Sequence, residues 1–311
     1  MNKIAILTNG PRAWASSRIR GWWLHDAAPL RIHAYGPGDP MPQIDECETV
    51  VFQKRQADID IERALRYKAE GRTVIYDLTD PMWWWYPEQV RAMFRAADCV
   101  TVSSPGLLEA VKAAPEVKRA VYIADRMLAS HHPTLAQHEE KDKTVLVWFG
   151  SSSNRIGLEG YLELLGYVAH LKPIELRIID DAPQAQIRVS GMDHFTITHV
   201  PWTLETFHAQ MTACDIAFIP QFPGPWGLMK SNNREVTAAW CGLPYVDGFD
   251  LGVMADLIDH PEKRREIAIV NRARVVETYE TEQSVQELEA LVRELKGETE
   301  PAVPENHREP V

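Results

Sequence analysis

At 311 residues, with 45% hydrophobic and 25% charged residues, the chain is long enough for two domains of ordinary size, each with its own core. No run approaches the roughly 20 apolar residues of a membrane span, and MNKIAILTNG reads as charge followed directly by a strand, which argues against a secretory leader. The formal net charge of −11 excludes a broad electrostatic nucleic-acid surface but not a local basic cleft. Cys47, Cys99, Cys214 and Cys241 have no paired spacing, which fits reduced thiols in a cytoplasmic protein and offers no zinc site.

Short β-branched apolar runs alternate with helical patterns from the first residues. KIAILT (3–8) reads as a strand, SRIRGWWLHDAA (17–28) as a helix with Ile19, Trp22 and Trp23 as a core stripe, and LRIHAY and TVVFQ as strands. A helix near 57–70, the strand TVIYDL (73–78), a helix near 87–97, the strand in DCVTVSS, a helix near 105–113 and the strand AVYIA follow. This alternation argues for a mostly parallel sheet covered on both faces. After a stretch rich in His, Glu and Lys at about 130–143 the rhythm restarts. TVLVWFG, a helix near 155–170, IELRIID, FTITHV, a helix near 203–213, DIAFIP, a helix in KSNNREVTAAWCGLPYV and LPYVDG make the second series. The fold class is thus α/β, with Rossmann-like units at 1–130 and 144–265 and a linker at 131–143. A charged helical stretch covers about 261–297, its part from 266 standing apart from the second unit, and the Pro/Glu-rich end at 298–311 has the composition of a disordered tail.

In open parallel sheets ligands sit beyond the carboxyl ends of the strands, so each strand-to-helix loop is a candidate site. FGSSSNRIG (149–157) follows a buried strand and precedes a helix, as a phosphate-cradling loop must, and Arg155 can close a bidentate contact. Its spacing matches neither G-x-G-x-x-G nor the Lys-containing P-loop; phosphate binding is the reading favoured once the Lys230 segment is considered with it, and an ordinary turn is the alternative. In KSNNREVTAAWCGLPYV, Ser231 stands where an N-cap is expected, Val236, Ala239 and Trp240 form a buried stripe, and Gly242 with Pro244 stops the helix. Lys230 and Arg234 then lie at the positive end of the helix dipole, an unfavourable place for cations by about 0.3–1 kcal/mol each unless an anion sits among them. Two carboxylates, Asp77 and Asp80, close a strand in DLTDP; Asp80 is placed to act as a general base or to form a turn before Pro81. Trp83, Trp84 and Trp85 cannot all point inward, so part of that aromatic surface faces a ligand or the other unit. Ser16, Ser17 and Arg18 begin a helix and either reach across a cleft or cap and solvate it. His25, His194, His199 and His208 follow no metal spacing and are read as structural, as is Asp180-Asp181.

Taken in order, SSRIRG (16–21), VIYDLTD (74–80), ADCVTVSS (97–104), FGSSSN (149–154), DIAFIP (215–220) and KSNNREVTAAWCGLPYV resemble the GT-B glycosyltransferases over about residues 1–295. These enzymes have two Rossmann-like domains facing a central cleft and take sugars from nucleotide donors. The resemblance implies a donor diphosphate between Gly150, Ser151, Ser152 and Arg155 on one side and Lys230, Asn232, Asn233 and Arg234 on the other, and a nucleobase near Trp202. It also implies final helices crossing back to brace the N-terminal unit; it supplies no acceptor motif, and the acceptor is expected on that unit at Ser16, Ser17, Arg18, Asp77 and Trp83 to Trp85 from the reading of their loops. One position departs from the pattern: the family's frequent acidic residue on the donor helix falls on Thr237, with Glu235 two positions earlier.

The expected activity is metal-independent transfer of a sugar to an acceptor hydroxyl, with Asp80, Lys230 and Arg155 as catalytic residues and Thr237 among the donor contacts. No cofactor is expected beyond a nucleotide-diphosphate sugar as co-substrate, a UDP-sugar first. The acceptor is a saccharide or a modified nucleotide in nucleic acid, since both stack on exposed indoles. A nucleotide-sugar-binding protein without transfer activity is the alternative that Thr237 suggests; a dehydrogenase is disfavoured because both first loops lack the dinucleotide fingerprint.

Overall fold

The computed structural model describes residues 3–43, 46–170, 172–182, 184–185, 187, 194–222, 224–247 and 250–298, so the Pro/Glu-rich end beyond 298 lies outside the described residues. Strands β1 (Ile4–Leu7), β2 (Ile32–Tyr35), β3 (Thr49–Gln53), β4 (Thr73–Leu78), β5 (Cys99–Val102) and β6 (Ala120–Tyr122) form a sheet in the order β2-β1-β3-β4-β5-β6. β7 (Thr144–Phe149), β8 (Ile174–Asp180), β9 (Phe195–Pro201), β10 (Ile216–Phe218) and β11 (Tyr245–Val246) form another in the order β11-β10-β7-β8-β9. All named pairings are parallel. Runs such as IAIL and TVVFQ are buried at every position, because helices cover both faces of a parallel sheet.

In each sheet the strand order reverses beside the first strand: between β1 and β3 in one, between β7 and β10 in the other. Loops leaving such a pair diverge and open a crevice at the carboxyl ends, which is where α/β proteins seat ligands.

The first helix begins as α1 (Ala15–Ser17), passes through a π-helical turn at Arg18–Trp22 and continues as α2 (Trp23–Ala27). The wider turn is a departure from the single helix expected at 17–28; such insertions recur at functional sites. α3 (Asp58–Ala69), α4 (Pro87–Ala96) and α5 (Pro105–Lys112) complete the first unit. In the second, the helix expected near 155–170 is divided into α6 (Ile156–Glu159) and α7 (Leu162–Ala169), with Gly160 at the break. α8 (Leu204–Thr212), a single turn α9 (Pro225–Leu228) and α10 (Asn233–Trp240) follow.

α10 ends as expected: Gly242 has φ +72°, and the N–H groups of Gly242 and Leu243 donate to the carbonyls of Ala239 and Ala238, a Schellman stop. Its start is different. Asn232, not Ser231, occupies the N-cap and makes no side-chain cap, its amide donating to the Tyr279 hydroxyl, while the Ser231 hydroxyl donates to Asp125 at 2.7 Å.

α11 (Leu251–Asp259) and α12 (Pro261–Thr278) lead to α13 (Thr281–Leu295), whose Val285, Leu288, Leu291 and Val292 pack with Ile4, Ile6, Ile32 and Ile75 of the first sheet. The chain therefore returns to its first unit. The stripe of α10 likewise packs across units, with Val236, Ala239 and Trp240 against Ile19, Trp23, Met127 and Val275.

Candidate functional site

Between the units, the carboxyl ends of β4 and β5 meet the segment that leads into α10. Asp80, two residues past β4, accepts from Lys54 Nζ at 2.5 Å and from Lys230 Nζ at 2.6 Å, so the proposed base and the proposed phosphate ligand are bonded to each other. Burial pushes the Asp80 carboxyl up, but the two ammonium groups more than reverse this and hold it below its ordinary value. Lys230 also lies 4.4 Å from the centroid of Trp226. Nearby, Ser104 Oγ donates to the carbonyl of Met229 at 2.7 Å, and a Cβ on Gly106 would stand 2.0 Å from the Leu228 carbonyl oxygen. Only glycine lets the first turn of α5 approach so closely.

Lys54 carries a further mark. It is the one non-glycine residue with positive φ among the described residues, at +52°. A left-handed conformation costs of order 1 kcal/mol and persists where the surroundings enforce it. Here it turns the chain just past the end of β3, at the residue whose own ammonium meets Asp80.

Each donor-side residue predicted from sequence has a definite place. The Ser152 N–H donates to the Asp181 carboxylate at 2.7 Å, so this loop already presents a backbone donor to an anion, and that contact draws the Asp181 carboxyl down against its partial burial. Ser151 and Ser153 hydroxyls are 3.0 Å apart. Arg155 is buried and directed away from solvent: it pairs with Asp180 and donates to the carbonyls of Ala182, at 2.7 Å, and Ala185, so its guanidinium anchors the chain after β8. Phe222 lies 3.4 Å from a Cβ placed on Gly157, in α6, and its ring is 5.5 Å from the Arg234 guanidinium. Asn232 donates to the Tyr279 hydroxyl at 2.9 Å, and the Asn233 carbonyl accepts from Thr237 Oγ1 at 2.7 Å.

A cavity of about 590 Å³ opens beside the first turn of α10 and the end of β11, lined among others by Asn232, Glu235, Tyr245, Asp247, Arg274 and Tyr279. Of the predicted donor residues, Asn232 alone lines it. Thr237 does not: it is buried beside Met127, whereas the displaced acid Glu235 faces the cavity.

Acceptor-side residues divide. Ser17 is buried and its Oγ accepts from the Gly10 N–H at 2.9 Å, with half-buried Ser16 beside it; Asp77 is buried and accepts from Arg20 at 2.5 Å and from Thr101 at 2.7 Å. These hold the first unit together. Arg18 instead crosses between units: its guanidinium lies 5.3 Å from the Trp23 ring and 4.8 Å from the ring of Trp202, the predicted base-stacking residue. Burial lowers the Arg18 pKa to about 10. Trp83 packs into the first core near Phe94, while Trp84 and Trp85 have ring centroids 5.6 and 5.0 Å from that of Trp226 in the second unit. A second cavity, about 490 Å³, lies at the β1/β3 reversal and is lined by Thr8, Asn9, Lys54, Arg55, Gln56 and Tyr86, among others, and by none of the predicted acceptor residues.

Sequence reasoning missed Lys54, Asp125 and Trp226. The signals were a pair of cations directly after TVVFQ, a carboxylate closing AVYIAD, and a tryptophan in a loop already marked as rich in Gly, Pro and aromatic residues. Among the described residues, His132, His208 and Cys241 bring three potential ligand atoms within 4.8 Å of one another, although the sequence spacing gave no metal pattern.

Two parallel α/β units set face to face, with loops converging from both strand reversals, define the GT-B glycosyltransferase fold. Solved structures share it across nearly the whole chain. A glycosyltransferase from Rickettsia africae superimposes with a TM-score of 0.63 at 9% identity, covering 96% of this chain and 100% of that one. An α-glucosyltransferase in complex with UDP-glucose and DNA containing an abasic site gives 0.61 at 7% identity, covering 94% and 99%. The α,α-trehalose 6-phosphate synthase from Burkholderia multivorans gives 0.60 at 10% identity, covering 96% and 97%. No protein-family profile and no curated protein matches the sequence. At these identities the likeness establishes the fold.

Proposed function

We propose that this protein is a glycosyltransferase that moves a sugar from a nucleoside diphosphate donor, a UDP-sugar, to an acceptor hydroxyl without a metal at the diphosphate. The observation that carries the reading is Lys230, held three residues before the start of α10 in the interunit cleft and bonded to a carboxylate on the opposite wall. A diphosphate competes for that ammonium. Arg234 and the backbone donors of the 150–153 loop supply further positive potential for the departing phosphate, and each such group is commonly worth about 3–4 kcal/mol in the transition state. Arg155, engaged with Asp180, contributes by fixing the loop. Glu235 and the cavity beside it accept hydrogen bonds from ribose or sugar hydroxyls.

The Lys230–Asp80 bond links donor binding to base strength. With both lysines in place Asp80 is a weak base; when the donor draws Lys230 away, one of the charges that depress it is lost and its proton affinity rises. The base is thus strengthened when a donor is bound. The acceptor enters from the first unit, near the β1/β3 cavity and the Trp84–Trp85 surface.

UDP release measured with a panel of UDP-sugars, against neutral oligosaccharides and against DNA, tests the proposal. Transfer to one acceptor class supports it, and salt distinguishes them, since only nucleic acid binding weakens steeply as salt rises. Donor binding without release or transfer would instead identify a nucleotide-sugar-binding protein.

A further inference from the structure

At the far end of α10 from Lys230, three side chains from separate segments converge. His132 comes from the stretch between the sheets, His208 from α8, and Cys241 from the residue that closes α10. Cys241 Sγ lies 3.8 Å from His132 Nδ1 and 3.7 Å from His208 Nδ1. In a tetrahedral zinc site, with bonds of about 2.3 Å to sulfur and 2.0–2.1 Å to nitrogen, sulfur and nitrogen ligands stand about 3.5 Å apart. Each nitrogen therefore needs to approach the sulfur by only a few tenths of an ångström, and all three ligand atoms lie within 4.8 Å of one another.

We propose that His132, His208 and Cys241 form a binding site for a divalent cation of borderline softness, zinc above all. One thiolate and two imidazoles are the donor set that selects such an ion over magnesium or calcium. Burial, first, holds both imidazoles below their ordinary pKa, His132 at about 3, so both are neutral at pH 7 and offer a lone pair. The Cys241 thiol is pushed up to about 12 by burial, with the Arg272 charge acting against that rise, so the ion must displace its proton. His208 is half-buried, so the cluster has one ligand at the edge of the interior while His132 and Cys241 are buried. Its other ring nitrogen lies 3.0 Å from Thr134 Oγ1, the outer contact that commonly orients a ligating histidine.

α10 has eight residues, about 12 Å of helix, so an ion here is remote from the chemistry at its N-terminus. Its role is to fasten the connection between the sheets to the end of the helix that carries the donor-binding segment.

Full-length protein freed of metal by chelation and titrated with cobalt(II) chloride should develop a near-ultraviolet thiolate-to-cobalt charge-transfer band that saturates at one equivalent and is bleached by zinc chloride. Cys241→Ser should abolish the band, and His208→Ala, at a half-buried position that leaves the core intact, should weaken cobalt affinity at least tenfold. Absence of the band in wild-type protein, or its persistence in Cys241→Ser, would overturn the assignment and leave a Cys–His hydrogen-bonded cluster.

Discussion

Asp80 shows how one residue serves two units. Its carboxylate pairs with Lys54 of its own unit and Lys230 of the other, and both charges depress its pKa. A carboxyl depressed in the folded state stabilises that state above its unfolded pKa and ceases to do so as pH falls through the folded one. This link is therefore intact at neutral pH and is lost as pH drops below the ordinary Asp value of about 3.9. Asp80→Asn should reduce turnover about 10²–10⁴-fold with a much smaller change in donor affinity, read from steady-state UDP release. A loss confined to melting temperature would reduce Asp80 to a turn former. Lys54→Ala removes one of the depressing charges, so the acid limb of the pH–rate profile should move upward; a limb that stays in place would separate Asp80 from the proton transfer. None of this coupling was legible in DLTDP, which gave the carboxylate but not its partners, because Lys54 reaches Asp80 only through a left-handed backbone that its side-chain type does not announce.

At the scale of elements, the strands were readable because a parallel sheet buried on both faces demands unbroken β-branched runs, and TVVFQ, TVIYDL and TVLVWF supply them. The stop of α10 was equally readable in Gly-x-Pro. Its start was not: an N-cap serine was expected from local chemistry, but a buried carboxylate in another unit claims the hydroxyl. α11 was missed because LGVMADLID is short, apolar and uncapped by any strong stop before Pro261. The contact between α5 and α9 rests on a single missing methyl group. Gly106→Ala places a Cβ against the Leu228 carbonyl and should push the Leu228–Lys230 segment outward, costing about 1–3 kcal/mol and lowering turnover at least tenfold. Gly160→Ala, where nothing lies within 4 Å, is the matched control and should leave both unchanged. Equal behaviour of the two variants would show that close approach at α5 has no bearing on the site.

The whole molecule is two α/β units whose facing ends touch through a few directional contacts: Lys230 with Asp80, Ser231 with Asp125, Arg18 over Trp202, and Trp226 against Trp84 and Trp85. Several groups expected to hold ligands thus hold each other across the cleft, and donor entry must exchange one set of partners for another. The two-unit plan was legible in the repeated strand-helix rhythm; the interunit contacts were not, since they join residues about 100 to 180 positions apart that share no local pattern. The central claim is that a nucleoside diphosphate sugar displaces Asp80 from Lys230. Thermal unfolding of wild-type and Lys230→Ala protein with UDP and UDP-glucose tests it most directly. Ligand at 100 times its dissociation constant should stabilise the wild type by about 2.7 kcal/mol. In Lys230→Ala, whose own folding should change by no more than about 1 kcal/mol, the same concentration should give little shift. Equal stabilisation of the two proteins, or none of the wild type by any nucleoside diphosphate sugar, would contradict the account.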